Sequence, residues 1–437
     1  MAPSCTSSSR LQPVRPACLL ALAGALLLAG PPVAEAGGLY RNGIGARAMA
    51  LGGADAAWAE DALGGLANNP AGLGFLTAPS LNLGLTGAYG YGTFDNAVNN
   101  NGRMDVFGGA PEVALAMPFC SGRFVAAIGA YPEAMRDADW TYVDNVYGKR
   151  RHEAELVLLR SAAAVGMKLG DRLSLGASIG VQYNRNSLNA AYTFQTNPTL
   201  AGAKTMLDLD TDGFGADGQF GLLYKPFESL QFGLTYKLPV TVRSEGTATG
   251  FVGTPAFNYK YDADVENHFP QRISLGASWQ VTPQLRLVAE GQWIQWSSAF
   301  KRLPVRLRNG SNGVLNGLLG STSLNDSVPL NWNDELDARF GVEYTINEHW
   351  QMRGGYCWTS NPVADSTLTP MEAAISEHTL TAGFGYRTGR WQWDFAYQWD
   401  IPAAVSVGTS KLLSGEYSGS RTEVGAHWLA LTATVRF

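Results

Sequence analysis

One stretch of the sequence carries side chains whose type and spacing could bind a metal ion. Asp208, Asp210 and Asp212, followed by Gly213, repeat the opening of a calcium-binding loop, in which carboxylates supply the first ligands. The twelfth position of such a loop needs a bidentate Glu, and this chain has Gln219 there. The sequence therefore predicts no metal site, and a Ca²⁺ ion bound by an external loop remains the alternative.

The sequence also gives little support for nucleophilic catalysis or for cofactor binding. Gly43–Ala48 fits a GxGxxA pattern, but no strand precedes it as dinucleotide binding requires. Cys120 and Cys357 form no CxxC pair. The histidines have no recognisable Ser or Cys partner for nucleophilic catalysis; they are His152, His268, His349, His378 and His427. We predict neither an enzyme nor a cofactor.

The composition excludes several classes of protein. Of 437 residues, 51 are Gly, 11% are aromatic and only 16% are charged, against about a quarter in a typical soluble domain. No apolar run of about 18 residues is present, which excludes a helical membrane protein. The net charge of −5 argues against a nucleic-acid partner, because such proteins present a basic face.

The N-terminus has the three parts of a secretory signal peptide. Arg10 and Arg15 precede the apolar stretch 17–29, and Ala34-Glu35-Ala36 follows as a small-x-small cleavage site. We predict that residues 1–36 are a signal peptide and that the mature chain begins at Gly37.

Most of the remaining chain alternates apolar and polar residues, as a strand with one apolar face does. In 230–243, for example, Leu230, Phe232 and Leu234 alternate with polar or small residues. We predict fourteen strands, at 81–91, 112–119, 123–131, 154–168, 172–183, 215–225, 230–243, 272–280, 285–296, 337–345, 350–358, 379–387, 391–399 and 427–437.

The connections between these strands indicate the architecture. Tight polar turns such as Gly170-Asp171 alternate with long segments such as 184–214 and 297–336. Short periplasmic turns and longer extracellular loops are typical of a transmembrane β-barrel, whose closure leaves no unpaired edge in hydrocarbon. We therefore predict an all-β fold, a 14-stranded antiparallel barrel in the outer membrane of a Gram-negative bacterium, formed by residues 81–437. A soluble sandwich is the alternative.

Two further features fit a barrel. Phe437 ends the last alternating segment and could serve as a handle for the barrel-assembly machinery, with outer-membrane lipid and lipopolysaccharide as surroundings. Residues 37–80 do not alternate apolar and polar side chains, and they are too apolar for a tail that is surrounded by water. We predict that they form a small helical plug, or hatch, in the lumen of a monomeric barrel.

Particular motifs resemble a known family. Ala59-Glu60-Asp61-Ala62 and Asn69-Pro70-Ala71-Gly72-Leu73 resemble the start of the FadL/TodX outer-membrane transporters of hydrophobic compounds. Trp296–Phe300 and Trp350–Gly355 resemble late strands of that family. The resemblance covers residues 37–437.

The resemblance implies a function. Members carry long-chain fatty acids or small aromatic hydrocarbons inward without ATP and without chemistry. The implied route is capture at extracellular loops, transfer to an interior pocket, movement of the hatch, and lateral release beside a kinked third strand.

The resemblance also implies roles for particular residues. Asn69, Pro70 and Ala71 match the hatch motif. Gly129 and Pro132 predict the kink of the third strand, because Gly weakens the pairing of a strand and Pro lacks a backbone hydrogen-bond donor. The alternative is that the two residues merely mark the ordinary end of the strand. Basic groups hold the ligand headgroup in the family, and the residues expected to bind ligand here are Arg185, Trp296, Phe300, Lys301, Arg302 and Leu303.

Alternatives of other classes remain open at this point. A structural or adhesive barrel, or a porin, would use residues 37–80 only as a block, and the aromatic-hydrocarbon branch of the family would not transport fatty acids. An outer-membrane lipase would hydrolyse phospholipid with catalytic groups that meet only in the folded chain.

Overall fold

The computed structural model describes residues 39–437, so the predicted signal peptide lies outside the described residues. Most of the chain is extended. The strand segments are β1 (Ser80–Asp95), β2 (Gly102–Phe119), β3 (Phe124–Asp144), β4 (Gly148–Lys168), β5 (Leu173–Thr193), β6 (Lys204–Phe227), β7 (Leu230–Lys237), β8 (Val240–Val252), β9 (Asn258–Phe269), β10 (Arg272–Gln280), β11 (Leu285–Ile294), β12 (Arg302–Arg308), β13 (Leu324–Pro329), β14 (Glu335–Thr345), β15 (Trp350–Thr359), β16 (His378–Thr388), β17 (Trp391–Ser406) and β18 (Arg421–Arg436).

These segments form one closed antiparallel barrel. β1 pairs with both β2 and β18, so the sheet has no free edge at its first strand. Four successive pairs (β7 with β8, β9 with β10, β11 with β12, β13 with β14) each make one interrupted barrel strand, which reduces 18 segments to 14 strands. Pro239 and Pro270, which lack a ladder donor, lie at two of the interruptions. The predicted 14-stranded barrel is confirmed.

The outer surface carries the expected lipid-facing belt. Leu83, Leu85 and Ile179 point outward and are exposed, as are many large apolar side chains on the other strands. Trp350, Trp391 and Trp393 lie beside the short turns, where an interfacial aromatic girdle belongs.

The strands are longer than the alternation predicted. β6 has 24 residues, whereas about 10 residues of tilted strand cross a bilayer. The excess lies on the extracellular side, where water surrounds the wall and both faces are mixed in polarity. The segment 208–213 belongs to this extension, and its three aspartates follow each other along one strand face about 7 Å apart. They cannot converge on one ion, and within residues 39–437 no cluster of acidic, His or Cys side chains could hold a metal.

Short helices complete the fold: α1 (Ala46–Ala50), α2 (Ala62–Ala67), α3 (Trp296–Ala299) and α4 (Gly313–Leu319), with 3-10 turns at Pro70–Phe75, Pro255–Phe257, Asp365–Thr367 and Pro370–Glu372. α1, α2 and the turn Pro70–Phe75 pack inside the barrel with nearly every side chain buried. The Asp61 carboxylate accepts from the Gly64 amide and caps α2. In the described part of the chain, no helix is long and apolar enough to cross a membrane.

Candidate functional site

The barrel wall contains a break in backbone pairing between β2 and β3. The two strands pair from Phe119 opposite Phe124 up to Val113 opposite Ala130, and pairing resumes at Met104 opposite Trp140. Residues 105–112 therefore do not pair with 131–139; the first stretch pairs with β1, and the second pairs with β4 except at Glu133. We call this stretch the wall break.

The wall break has a visible cause in β3. After Pro132 the register of β3 against β4 shifts by one residue, so that Glu133 forms a β-bulge. Pro132 supplies no donor, and a Cβ on Gly129 would lie 2.3 Å from the Val113 carbonyl oxygen. Pro132 lies within the wall break, whereas Gly129 still pairs with Ala114 and Ala162 just before it.

The N-terminal segment Leu39–Gly43 covers the wall break from inside. Tyr40 makes a β-bridge with Ala134, and the Arg41 amide donates to the Glu133 carbonyl at 3.3 Å. This short piece of chain thus supplies part of the backbone pairing that β2 does not give to β3.

Arg41 fastens that segment to three strands. Its Nη1 donates to Glu112 Oε1 on β2 at 2.6 Å, and its Nη2 donates to Thr86 Oγ1 on β1 at 2.9 Å. Nη1 also lies 3.3 Å from the Pro132 carbonyl oxygen on β3. The Arg41 and Glu112 side chains are only 1% and 0% exposed, so this ion pair is fully desolvated.

Aromatic packing holds Tyr40 in place. Its ring stacks on Trp296 with the centroids 5.2 Å apart, and the Arg272 guanidinium lies 3.9 Å from its centroid. Trp296 in turn packs against Phe300 and Trp332. The segment Leu39–Gly43 therefore packs against an aromatic cluster formed by Trp296, Phe300 and Trp332.

The bulge residue Glu133 points into the lumen and is tied across it. Its carboxylate bonds to Lys237 of β7 and to Arg272 of β10, and it accepts from Gln182 of β5 at 2.8 Å. Lys237 also lies 3.0 Å from Asp217. The bulge of β3 is thereby connected to β5, β7 and β10 across the lumen.

An apolar cavity of about 140 Å³ lies above the plug, towards the extracellular end. Inward side chains of β5, β6, β9, β12 and β13 line it, together with parts of the loops 360–377 and 407–420; they include Ala190, Leu207, Leu209, Leu303, Leu307 and Leu324. Leu303, Met371 and Tyr417 belong both to this lining and to the central apolar cluster. That cluster also contains Leu39 and Ala134, so apolar contacts run without interruption from the cavity to the wall break.

The charges of the cavity are acidic only. No Lys, Arg or His is among the described residues that line it, whereas Asp326 and Glu372 are. The Asp326 carboxylate already has its hydrogen-bond donors, because it accepts hydrogen bonds from the Tyr192 hydroxyl and from the backbone amides of Gln195 and Thr196. Its role is to attach β13 to the turn after β5.

The sequence of residues 25–437 matches the family model described as outer membrane protein transport protein (OMPP1/FadL/TodX). The chain belongs to the FadL/TodX family. It is therefore an outer-membrane transporter of hydrophobic compounds from a Gram-negative bacterium, and not an enzyme. No curated protein sequence matches the chain.

Solved structures share the fold. A Pseudomonas aeruginosa FadL homologue aligns with a TM-score of 0.76 at 16% identity, covering 92% of this chain and 100% of its own. The Ralstonia pickettii toluene transporter TbuX gives 0.70 at 21% identity, covering 91% and 99%. The Pseudomonas putida toluene transporter TodX gives 0.74 at 16% identity, covering 93% and 100%.

The motif Asn69-Pro70-Ala71 of this FadL/TodX member lies against the wall. The Asn69 side-chain Nδ2 donates to the Ala56 carbonyl at 2.5 Å, and the Asn69 Oδ1 accepts from the Ala71 backbone amide at 3.0 Å. The Ala71 carbonyl accepts from Ser174 on β5 at 2.7 Å. The motif is fully buried, so it anchors the plug.

Glycines in the wall make room for this anchor. A Cβ on Gly176 would lie 2.1 Å from the Pro70 carbonyl carbon. We expect Gly176→Ala to displace the plug at a cost of about 1–3 kcal/mol and to raise the leak of small sugars in liposome-swelling assays. Gly291→Ala, on the lipid face of β11 with nothing within 4 Å, is the matched control and should not leak. Equal sealing by both variants would contradict the anchor.

The remaining residues expected to bind ligand are distributed unevenly. Leu303 lines the cavity, and Trp296 and Phe300 belong to the aromatic cluster beneath it. Lys301 and Arg302 are exposed and do not line the cavity. Arg185 lies on the outer face of β5, where it pairs with Asp210 at 3.1 Å. The structure thus brings the apolar residues together and leaves the three cations outside.

Sequence reasoning missed Tyr40, Arg41, Glu133 and Glu372. Glu133 carried a usable signal, because a carboxylate directly after Pro132 in an apolar strand needs a buried partner. The other three gave no such signal.

Proposed function

We propose that this transporter takes up small neutral hydrophobic molecules of the size of a monoaromatic hydrocarbon. The observation that supports it best is the apolar cavity of about 140 Å³ without a lining cation. An engineered apolar cavity of about 150 Å³ binds benzene, so the volume suits one ring. A long acyl chain would have to extend beyond this volume.

The proposed route follows the apolar contacts. A molecule would enter the cavity between the extracellular loops, pass the aromatic cluster around Trp296, and leave towards the membrane at the wall break. Release requires Leu39–Gly43 to move, because this segment covers the wall break from inside. The toluene transporters TbuX and TodX share the fold, which agrees with this substrate class.

The test is uptake of labelled toluene and labelled oleate by cells that lack their own transporter and express this barrel. Toluene should enter well above the empty-vector rate, and oleate should not. Oleate uptake would establish the long-chain fatty acid transport that the family resemblance implies. Entry of neither compound, with the barrel folded in the outer membrane, would contradict transport and favour a structural barrel.

A further inference from the structure

Residues 408–419, in the extracellular connection between β17 and β18, form a loop whose two ends meet. The Gly419 amide donates to the Val407 carbonyl at 2.8 Å and lies 3.0 Å from the Gly408 carbonyl oxygen, so the loop leaves the barrel through a narrow neck. Compact loops with closed ends of this kind are frequently functional. A Cβ on Gly408 or Gly419 would meet no atom within 4 Å, so side-chain packing does not fix the neck. We call residues 408–419 the roof loop.

The roof loop covers the apolar cavity with one of its faces. Leu412, Ser414 and Tyr417 line the cavity, and Leu412 and Tyr417 also belong to the central apolar cluster. The intervening Leu413 is 51% exposed to solvent. The roof loop therefore lies between the cavity and the water outside the barrel.

A buried ion pair fastens the roof loop to the wall. Lys204 Nζ, at the start of β6, donates to Glu416 Oε2 at 2.5 Å, and both side chains are only 7% exposed. The Leu413 amide adds a neutral hydrogen bond to Gln195 Oε1 at 3.0 Å. Because water can replace the partner of a neutral hydrogen bond, such a bond contributes less than one between two charged groups. We therefore expect the ion pair to dominate the attachment.

Opening this ion pair would leave the wall side complete. Lys204 Nζ also donates to Asp144 Oδ2 at 2.5 Å and to Asn145 Oδ1 at 2.7 Å, in the turn between β3 and β4. The Asp144 carboxylate accepts in addition from two backbone amides of the same turn. If Glu416 leaves, Lys204 and Asp144 keep each other as partners, and the Glu416 carboxylate reaches water. The pair can thus open without leaving a buried charge unpaired on the wall.

We propose that the roof loop is the entrance lid of the cavity and that the ion pair of Glu416 with Lys204 is its latch. With the latch closed, Leu412 and Tyr417 separate the cavity from water. When Glu416 separates from Lys204, the loop moves outward on its neck and admits a substrate from the extracellular side. This inference rests on the proposed function, because a lid controls uptake only when the cavity receives the substrate.

The other loop over the cavity is held by packing. In the loop 360–377 the turn Pro370–Glu372 packs against β3 and β4, and Ala373, Ala374 and Ile375 are fully buried. Moving that loop would expose this part of the apolar core to water. In the roof loop only Leu412 and Tyr417 are buried, so its outward movement exposes much less.

Limited trypsin digestion of the purified full-length protein in detergent measures the opening without any substrate. The Lys411 side chain is exposed, but its backbone amide donates to the Ser366 carbonyl at 2.7 Å, so cleavage after Lys411 requires the loop to come away. Glu416→Ala should be cut there about tenfold faster than wild type, because cleavage follows the population of the open form. Glu416→Gln, which keeps a neutral acceptor for Lys204, should give an intermediate rate.

Glu423→Ala is the matched control. Glu423 pairs with Arg421 at 2.7 Å just beyond the roof loop, and both side chains are largely exposed. Its loss removes one carboxylate from the same end of the barrel without touching the latch, so cleavage after Lys411 should stay at the wild-type rate. The heat-induced mobility shift on gels checks that each variant is folded, and Glu416→Gln serves for the comparison if Glu416→Ala does not fold.

Toluene uptake by cells connects the opening with transport. Glu416→Ala should need about threefold more toluene for half-maximal uptake, because a smaller fraction of the protein holds the cavity closed around its ligand, and its maximal rate should not fall. If Glu416→Ala is cut no faster than Glu423→Ala, the latch is wrong. If it is cut faster but its uptake saturates as in wild type, the loop does not guard the entrance, and the proposed function stands. If wild type takes up no toluene, the proposed function fails and the entrance role fails with it, whatever the digestion shows.

Discussion

The Arg41→Met variant is expected to lose the seal of the barrel while its strands stay folded. Glu112 would keep a fully buried carboxylate without its cation, and removing one partner of a buried ion pair costs about 3–5 kcal/mol. The segment Leu39–Gly43 would also lose its side-chain attachment to Thr86 and Pro132. The strand pairing of β1 with β2 and of β3 with β4 does not depend on Arg41.

Liposome swelling with small sugars measures the seal, and the heat-induced mobility shift on gels checks that the barrel is folded. A loss of about 3 kcal/mol lowers the seated population relative to the open one by two orders of magnitude, so leak should rise at least tenfold. The rate of toluene uptake should no longer saturate as the toluene concentration rises, because the exit below the cavity would stay open.

The control is the double variant Arg41→Met with Glu112→Leu. A buried ion pair exchanged for apolar side chains of similar volume is often neutral or stabilising, so the double variant should seal nearly as well as wild type. A folded Arg41→Met barrel that still seals would show that the ion pair does not hold the segment. Leak in the double variant equal to that in Arg41→Met would assign the seal to hydrogen bonding instead.

The barrel could be predicted from sequence because lipid and lumen impose opposite polarity on alternate residues. β7 has this pattern throughout, and its prediction from Leu230 needed nothing else. The pattern stops at the membrane surface. β3 continues to Asp144 and β6 begins at Lys204, in regions where water reaches the outer face and the two-residue period no longer separates strand from loop.

The site was less accessible to sequence reasoning because it depends on long-range contacts. Pro132 predicted an irregular third strand from its missing donor, but its partner Arg41 is 91 residues away. Leu303 lines the cavity while its neighbour Arg302 faces outward, since successive strand residues point to opposite faces. The helical turn α3 directly before β12 resets the alternation, so the inward face of β12 could not be counted from β11.

Filling the cavity should abolish transport without affecting the barrel. Ala190 on β5 is 2% exposed and contributes a small side chain to the cavity lining. In Ala190→Trp the indole would occupy most of the 140 Å³, and no ring-sized ligand would fit beside it. Toluene uptake should fall at least tenfold, with a loss of stability of about 1–3 kcal/mol from overpacking.

Ala177→Trp is the matched control, because Ala177 lies on the lipid-facing side of the same strand, where an added indole enters the apolar belt. It should fold and transport like wild type. If Ala190→Trp folds and still takes up toluene, the cavity is not on the route, and the proposed substrate class loses its main support. If both variants lose uptake, the result reflects how poorly β5 tolerates a Trp and not the role of the cavity. Leu307→Ala then separates the two explanations. Because it enlarges the cavity from β12, it should extend uptake to larger aromatic rings only when the cavity receives the substrate.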